Sequence, residues 1–87
     1  MTVTARITLE LNTTLDIYLP DDAPAERGVV EASAGETPLS LIERLGIPRH
    51  DVHLVFLNGA LLPEGRWGQA LLNDGDVLSL WPLLAGG

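Results

Sequence analysis

The first residues of the chain alternate strictly between apolar and polar side chains. The apolar positions are Val3, Ala5, Ile7, Leu9 and Leu11, with polar residues between them. A period of two directs one set of side chains to each face of an extended strand, so the pattern predicts a half-buried β-strand. Residues 12–14 break the alternation, and residues 15–19 fit either a short strand or a single helical turn.

A loop and a second strand are predicted next. Residues 20–28 are rich in proline, charge and small side chains, which is typical of a surface loop. Val29 and Val30 then favour a strand over residues 28–33.

A short helix follows, and both of its ends can be read from the residues. Thr37 is a suitable N-cap, Pro38 suits the first helical position, and Gly46 can end the helix in a left-handed conformation. The predicted buried face consists of Leu39, Leu41, Ile42 and Leu45, and the predicted solvent face of Ser40, Glu43 and Arg44. A helix of this length is unstable alone in water, so we expect it to pack on a sheet.

Three more strands are predicted in the second half of the chain, over residues 53–57, 60–62 and 77–81. Asn58-Gly59 predicts a hairpin turn between the first two, since both residues accept positive φ. Residues 65–69 are predicted as a loop, residues 73–76 as a second turn, and Pro82 as the end of the last strand. This order predicts an α+β fold, with a mixed sheet of four or five strands packed on one main helix.

Composition narrows the classes of function. The chain has 87 residues, no cysteine and a net charge of −7, and all five of its basic residues are arginine. The missing cysteine excludes disulfides and thiolate metal sites, and the acidic charge disfavours nucleic acid and anionic membranes as partners. The charge favours a partner with a basic surface. Neither a signal peptide nor a membrane span is evident, so we expect a cytoplasmic protein. We also expect it to be monomeric when free.

Three stretches together resemble a known family: residues 39–48, residues 55–59, and residues 74–82 leading into Ala85-Gly86-Gly87. They are similar to the MoaD/ThiS-like sulfur carriers of the ubiquitin-like β-grasp fold. These include the small subunit of molybdopterin synthase and the sulfur carrier of thiamine thiazole synthesis. The resemblance implies a β-grasp domain over residues 1–82 and a flexible tail over residues 83–87.

The resemblance also implies where the chemistry takes place. The carboxylate of Gly87, preceded by Gly86, would be adenylated by a ubiquitin-activating-type enzyme that uses ATP, and would then become a thiocarboxylate. The chain itself would bind no cofactor and would be a protein co-substrate, not an enzyme. A synthase would accept the sulfur, and the loop at residues 21–28 favours the large subunit of molybdopterin synthase. The thiamine pathway, and conjugation of Gly87 to lysines of other proteins, remain alternatives.

A partner-binding surface is predicted beside the tail. If Val55 and Leu57 face the core, Leu54 and Phe56 point outward with Trp81, and such an apolar cluster usually marks a partner site. A register shifted by one residue would bury these side chains instead. The tail residues predicted to join the contact are Leu83, Leu84 and Ala85.

The remaining polar clusters predict structure more than chemistry. His50-Asp51-Val52-His53 does not have the spacing of a zinc site, so no metal is expected. Asp74 and Asp76 flank Gly75 and indicate a turn. Trp67 fits either packing under the sheet edge or contact with a partner.

Overall fold

The structure is a computed structural model that describes residues 4–12 and 27–82. The predictions that lie at least partly outside these residues are the place of Val3 in the first strand, the strand or turn over 15–19, the surface loop over 20–28 and the flexible tail over 83–87. Within the described ranges, no helix is long and apolar enough to cross a membrane.

The described residues form one mixed sheet and one α-helix. In chain order the elements are β1 (Thr4–Leu11), β2 (Arg27–Ser33), α1 (Pro38–Arg44), β3 (Leu54–Leu57), β4 (Ala60–Leu61) and β5 (Val77–Trp81). The sheet order is β2-β1-β5-β3-β4. β1 pairs antiparallel with β2 and parallel with β5, and β3 pairs antiparallel with both β4 and β5. This confirms the predicted α+β architecture with a five-stranded mixed sheet.

The alternation in β1 places its apolar side chains under the helix. Ile7, Leu9 and Leu11 are fully buried, and they share the core with Leu78 and Leu80 of β5. The other buried apolar residues are Ala32, Leu41, Ile42, Ile47, Val52, Val55, Trp67 and Leu72. Because this core lies on one face of the sheet only, the outward side chains of each strand are left on the opposite face.

The helix is bounded as its sequence predicts. The hydroxyl of Thr37 accepts from the Ser40 amide at 3.2 Å, and the Ser40 hydroxyl accepts from the Thr37 amide at 2.9 Å, which closes a capping box. Ser40 is therefore half-buried, not fully in water as predicted. Gly46 follows the C-cap with φ +77°, and the Ile47 amide donates to the Ile42 carbonyl at 3.1 Å.

Four boundaries differ from the sequence prediction. β3 begins at Leu54 instead of His53. β2 begins at Arg27, so the last two residues of the predicted loop belong to the strand. β4 ends at Leu61 instead of Leu62. The predicted loop over 65–69 contains part of a 3₁₀ turn at Glu64–Arg66, which leads directly into a buried Trp67. These boundaries depend on which residues find a pairing or packing partner in the folded chain.

Candidate functional site

The central strand β5 carries the chain to the predicted functional end. It lies between β1 and β3 and ends at Trp81, followed by Pro82, the last described residue. The predicted reactive residues Gly86 and Gly87, and the predicted contacts Leu83, Leu84 and Ala85, lie outside the described residues. The part of the site that the structure describes is its base, at the end of β5.

The last two carbonyl groups of β5 accept hydrogen bonds from opposite sides of the strand. The Leu80 carbonyl accepts from the main-chain amide of Asn12 at 3.1 Å and from the Asn12 side-chain Nδ2 at 3.0 Å. The Trp81 carbonyl accepts from the main-chain amide of His53 at 2.7 Å. The strand is thus anchored up to the residue that precedes Pro82.

An apolar depression of about 480 Å³ lies on the outer face of the sheet and runs along β5 from Val77 to Trp81. Its lining residues are Glu10, Leu54, Phe56, Gly59, Val77, Ser79 and Trp81. Leu54 is 37% exposed and Trp81 38% exposed, whereas Val55 is fully buried. The antiparallel register places Leu54 opposite Trp81 and Phe56 opposite Ser79, so the three predicted patch residues share one surface.

This geometry excludes the alternative register in which the patch residues form the core. Leu54, Phe56 and Trp81 point away from α1, as the alternation predicts, because Val55, Leu78 and Leu80 occupy the buried positions. A shallow apolar surface open to solvent is suited to a protein partner. That these side chains bind a partner stays a prediction.

The acidic residues at the start of β5 form a hydrogen-bonded turn. Asp74 Oδ1 accepts from the Arg6 amide at 2.8 Å, and Asp76 Oδ2 accepts from the Asn73 amide at 2.8 Å. Asn58 Nδ2 donates to Asp76 Oδ1 at 2.9 Å. Since these carboxylates satisfy main-chain and side-chain donors, the predicted turn is confirmed.

The histidines are not gathered into a metal site. His50 is exposed and its Nε2 lies 3.4 Å from Asp51 Oδ1. In residues 4–12 and 27–82, no three histidine, aspartate or glutamate side chains are grouped closely enough to hold a metal ion.

Trp67, which the sequence left open, belongs to the core. It is 2% exposed, and its Nε1 donates to the Leu62 carbonyl at 2.9 Å. The Arg49 guanidinium lies 4.7 Å from the centre of its ring and is paired with Glu64. These contacts keep Trp67 away from the outer-face depression.

Sequence reasoning missed Asn12 as a residue of this site. It was interpreted only as the end of the alternating pattern, whereas its side chain binds residues 67 and 68 positions away along the chain. An asparagine at a strand end carries no local signal for such a contact.

Comparisons with known proteins agree with this architecture. The family model of the ThiS family matches residues 22–87. The sulfur carrier protein ThiS of Escherichia coli is 31% identical over 58 residues, which cover 67% of this chain and 86% of that protein.

Two solved structures share the fold at low identity. The HVO 2177 protein of Haloferax volcanii has a TM-score of 0.74 and 18% identity, and the match covers 97% of this chain and 88% of that one. The second comes from the protein-protein complex of subunits 1 and 2 of the molybdopterin-converting factor of Helicobacter pylori. It has a TM-score of 0.59 and 21% identity, and the match covers 94% of this chain and 99% of that one.

Proposed function

The chain belongs to the ThiS family, whose members are small sulfur carriers and not catalysts, and we propose that it carries sulfur as a thiocarboxylate on Gly87. The resemblance to MoaD/ThiS-like proteins and the β-grasp fold that it implied are confirmed. The carrier acts as a protein co-substrate of other enzymes.

The course of β5 is the observation that carries the proposal. The central strand ends at Trp81, Pro82 follows it, and five residues (83–87) come after Pro82. At roughly 3.5 Å per extended residue, these five residues can span at most about 17 Å from the sheet. This length supports delivery of the Gly87 carboxylate to a partner that is docked on the outer face of the same sheet.

The chemistry requires activation, because a free carboxylate is a poor electrophile. A Gly87 carboxylate oxygen attacks the α-phosphorus of ATP and pyrophosphate leaves, which forms an acyl-adenylate. Hydrosulfide then attacks the acyl carbon, AMP leaves with that oxygen and a proton is released, so one oxygen of the carboxylate is replaced by sulfur. Glycine has no Cβ, which leaves the acyl carbon open to attack and lets the tail enter a narrow channel.

The proposed partners are an ATP-dependent adenylating enzyme and a sulfur-accepting synthase. Both would contact the outer-face depression around Leu54, Phe56 and Trp81, with Leu83, Leu84 and Ala85 continuing the contact along the tail. The net charge of −7 favours partners with basic side chains around their binding surfaces.

We take the acceptor to be the large subunit of a molybdopterin synthase. The support is the long segment at residues 21–28 and the likeness to a subunit found in a two-subunit molybdopterin-converting complex. Thiamine thiazole synthesis is the second candidate, favoured by the ThiS family match and by the relative from Escherichia coli.

Mass spectrometry of the protein purified from its own host tests the carrier proposal. The C-terminal peptide should show the mass change for one oxygen replaced by one sulfur, and a variant that ends at Ala85 should lack it. Recovery of Gly87 joined to lysines of other proteins, with no thiocarboxylate, would show that the chain is a protein modifier instead. Pull-down with each candidate acceptor then separates the two pathways.

A further inference from the structure

Asn12, directly after β1, is hydrogen-bonded to the end of β5, the strand that precedes the tail. Its main-chain amide continues the parallel ladder between β1 and β5 by donating to Leu80, and its side chain adds two bonds. Nδ2 donates to the Leu80 carbonyl at 3.0 Å and to the Ser79 hydroxyl at 3.1 Å. One residue therefore binds two successive residues of β5 just before the chain leaves the sheet.

The chemistry of these contacts is unambiguous. The Leu80 carbonyl oxygen can only accept, so the Asn12 atom that faces it must be the amide nitrogen. The Leu80 oxygen thereby receives two donors from the same residue. The contact is half-buried, which protects it from competition with water.

The next carbonyl of β5, that of Trp81, is hydrogen-bonded on the other side of the strand. Trp81 is bound on the opposite side, by the His53 amide at 2.7 Å, and the next residue is Pro82, whose ring restricts φ. The direction in which the chain leaves β5 is thus determined by Asn12 on one side, His53 on the other and a proline directly after them.

We propose that Asn12 is a positioning residue for Gly87, acting through Leu80 to set the direction in which the tail leaves the sheet. The inference rests on the proposed function, since it concerns the delivery of the Gly87 carboxylate to the adenylating enzyme. Asn12 acts through its bonds to Leu80 and Ser79 of β5. Its effect is on how often the bound carrier places its carboxylate within reach of ATP.

If Asn12 has this role, loss of its side chain should change the turnover rate without changing binding to the adenylating enzyme. The outer-face depression docks the carrier and governs KM, whereas the direction of the tail governs the geometry of attack and hence kcat. Misplacing a reacting group by about 1 Å can lower a rate by up to about 100-fold. Loss of the Asn12 side chain should therefore lower kcat by roughly tenfold and leave KM unchanged.

The kinetic test compares Asn12→Ala with Thr37→Ala in pyrophosphate exchange catalysed by the activating enzyme of the same host. Thr37 caps α1 on the opposite face of the sheet, so its variant controls for a loss of stability away from the tail. We expect a lower kcat for Asn12→Ala alone. Equal kcat values for both variants and the wild type, or a change in KM alone, would overturn the inference. If Asn12→Ala does not fold, Asn12→Leu has a similar shape and lacks the Nδ2 donor without adding a charge.

A second measurement needs no enzyme. Because the chain has no cysteine, Ala85→Cys provides a single attachment point for a nitroxide spin label. The nitroxide enhances the relaxation of nearby amide protons, and this enhancement is measured around the depression. We expect the same pattern in the wild-type and Thr37→Ala backgrounds and a different pattern in the Asn12→Ala background. The same pattern in all three would refute the positioning role. Absence of adenylation of the wild type would refute the proposed function, and the spin label would still decide the role of Asn12.

Discussion

Arg44 and Glu36 join the helix to the edge strand β2. The Arg44 Nη2 atom lies 3.0 Å from Glu36 Oε1 and also donates to the Glu31 carbonyl of β2 at 2.6 Å. Glu36 Oε1 in turn accepts from the Ser33 amide at 3.1 Å. The pair therefore satisfies main-chain groups at the outer edge of β2, which would otherwise be open to pairing with another strand.

Glu36→Gln should be less stable than the wild type at neutral pH, and the difference in unfolding free energy between the two proteins should depend on pH. Burial raises the pKa of Glu36, but hydrogen bonds from Arg44 and the Ser33 amide, with the attraction of Arg44, outweigh it and hold the pKa below 4.5. A pKa that is lower in the folded than in the unfolded state stabilises the fold above the unfolded value. Glu36→Gln should therefore cost about 1 kcal/mol of unfolding free energy at neutral pH.

That difference should disappear as the pH falls through the lowered pKa of Glu36, because the wild-type carboxylate then becomes protonated. Urea unfolding of both proteins at neutral and acidic pH measures it. Glu43→Gln, which removes a charge from an exposed position of α1, is the control and should cost much less unfolding free energy at neutral pH. A constant difference between Glu36→Gln and wild type at every pH would contradict the prediction.

Replacing Trp67 with phenylalanine tests the hydrogen bond beneath the 3₁₀ turn. The Leu62 carbonyl loses the indole donor and the Arg49 side chain loses part of its stacking surface. We expect a loss of about 1–2 kcal/mol in unfolding free energy, measured by urea denaturation followed by circular dichroism. Trp81→Phe, at an exposed position, should change stability much less. Equal losses for the two variants would show that the Leu62 bond contributes nothing.

Truncation of Leu54 tests the outer-face depression. Leu54→Ala should weaken binding to the adenylating enzyme by roughly fivefold, about 1 kcal/mol, while the unfolding free energy changes little. Leu71→Ala removes the same atoms from a 59% exposed leucine that does not line the depression. Isothermal titration calorimetry of both variants measures the effect, and an equal loss of affinity in both would exclude a specific role for the depression.

The substitution Gly46→Ala tests whether the left-handed residue at the end of α1 needs to be glycine. Its φ of +77° is unfavourable for residues with a Cβ, although no atom would clash with one there. Gly46→Ala should cost about 1 kcal/mol through backbone strain alone. Gly65→Ala, where the space is equally open and φ is not positive, should be close to neutral. Thermal unfolding of the pair gives the comparison, and a neutral Gly46→Ala would show that the helix end relaxes without strain.

Local signals predicted the elements that depend on a few neighbouring residues. The N-cap at Thr37, the left-handed Gly46 and the turn at Asn58 are all confirmed, because each results from backbone geometry within a few residues. The alternation also assigned Leu54 and Phe56 to the outer face. The boundaries of β2 and β4 were wrong by one residue, since strand ends depend on the partner strand.

Two asparagines show where local reasoning ends. Asn58 was recognised because Asn-Gly is itself a turn signal, and its φ of 53° bears this out. Asn12 has no such neighbour, and its role depends on Leu80, 68 residues further along the chain. Trp67 is similar, because only the packed structure shows that it is buried beneath Arg49.

Local patterns were enough to predict the type and order of the elements and the buried face of each, and the resemblance to a sulfur-carrier family pointed to Gly87. The folded chain was needed to show that β1 lies parallel to β5, with Asn12 and His53 on either side of the end of β5. That arrangement depends on burying the apolar faces of strands that are far apart in sequence against one helix, and no local pattern specifies which strands become neighbours.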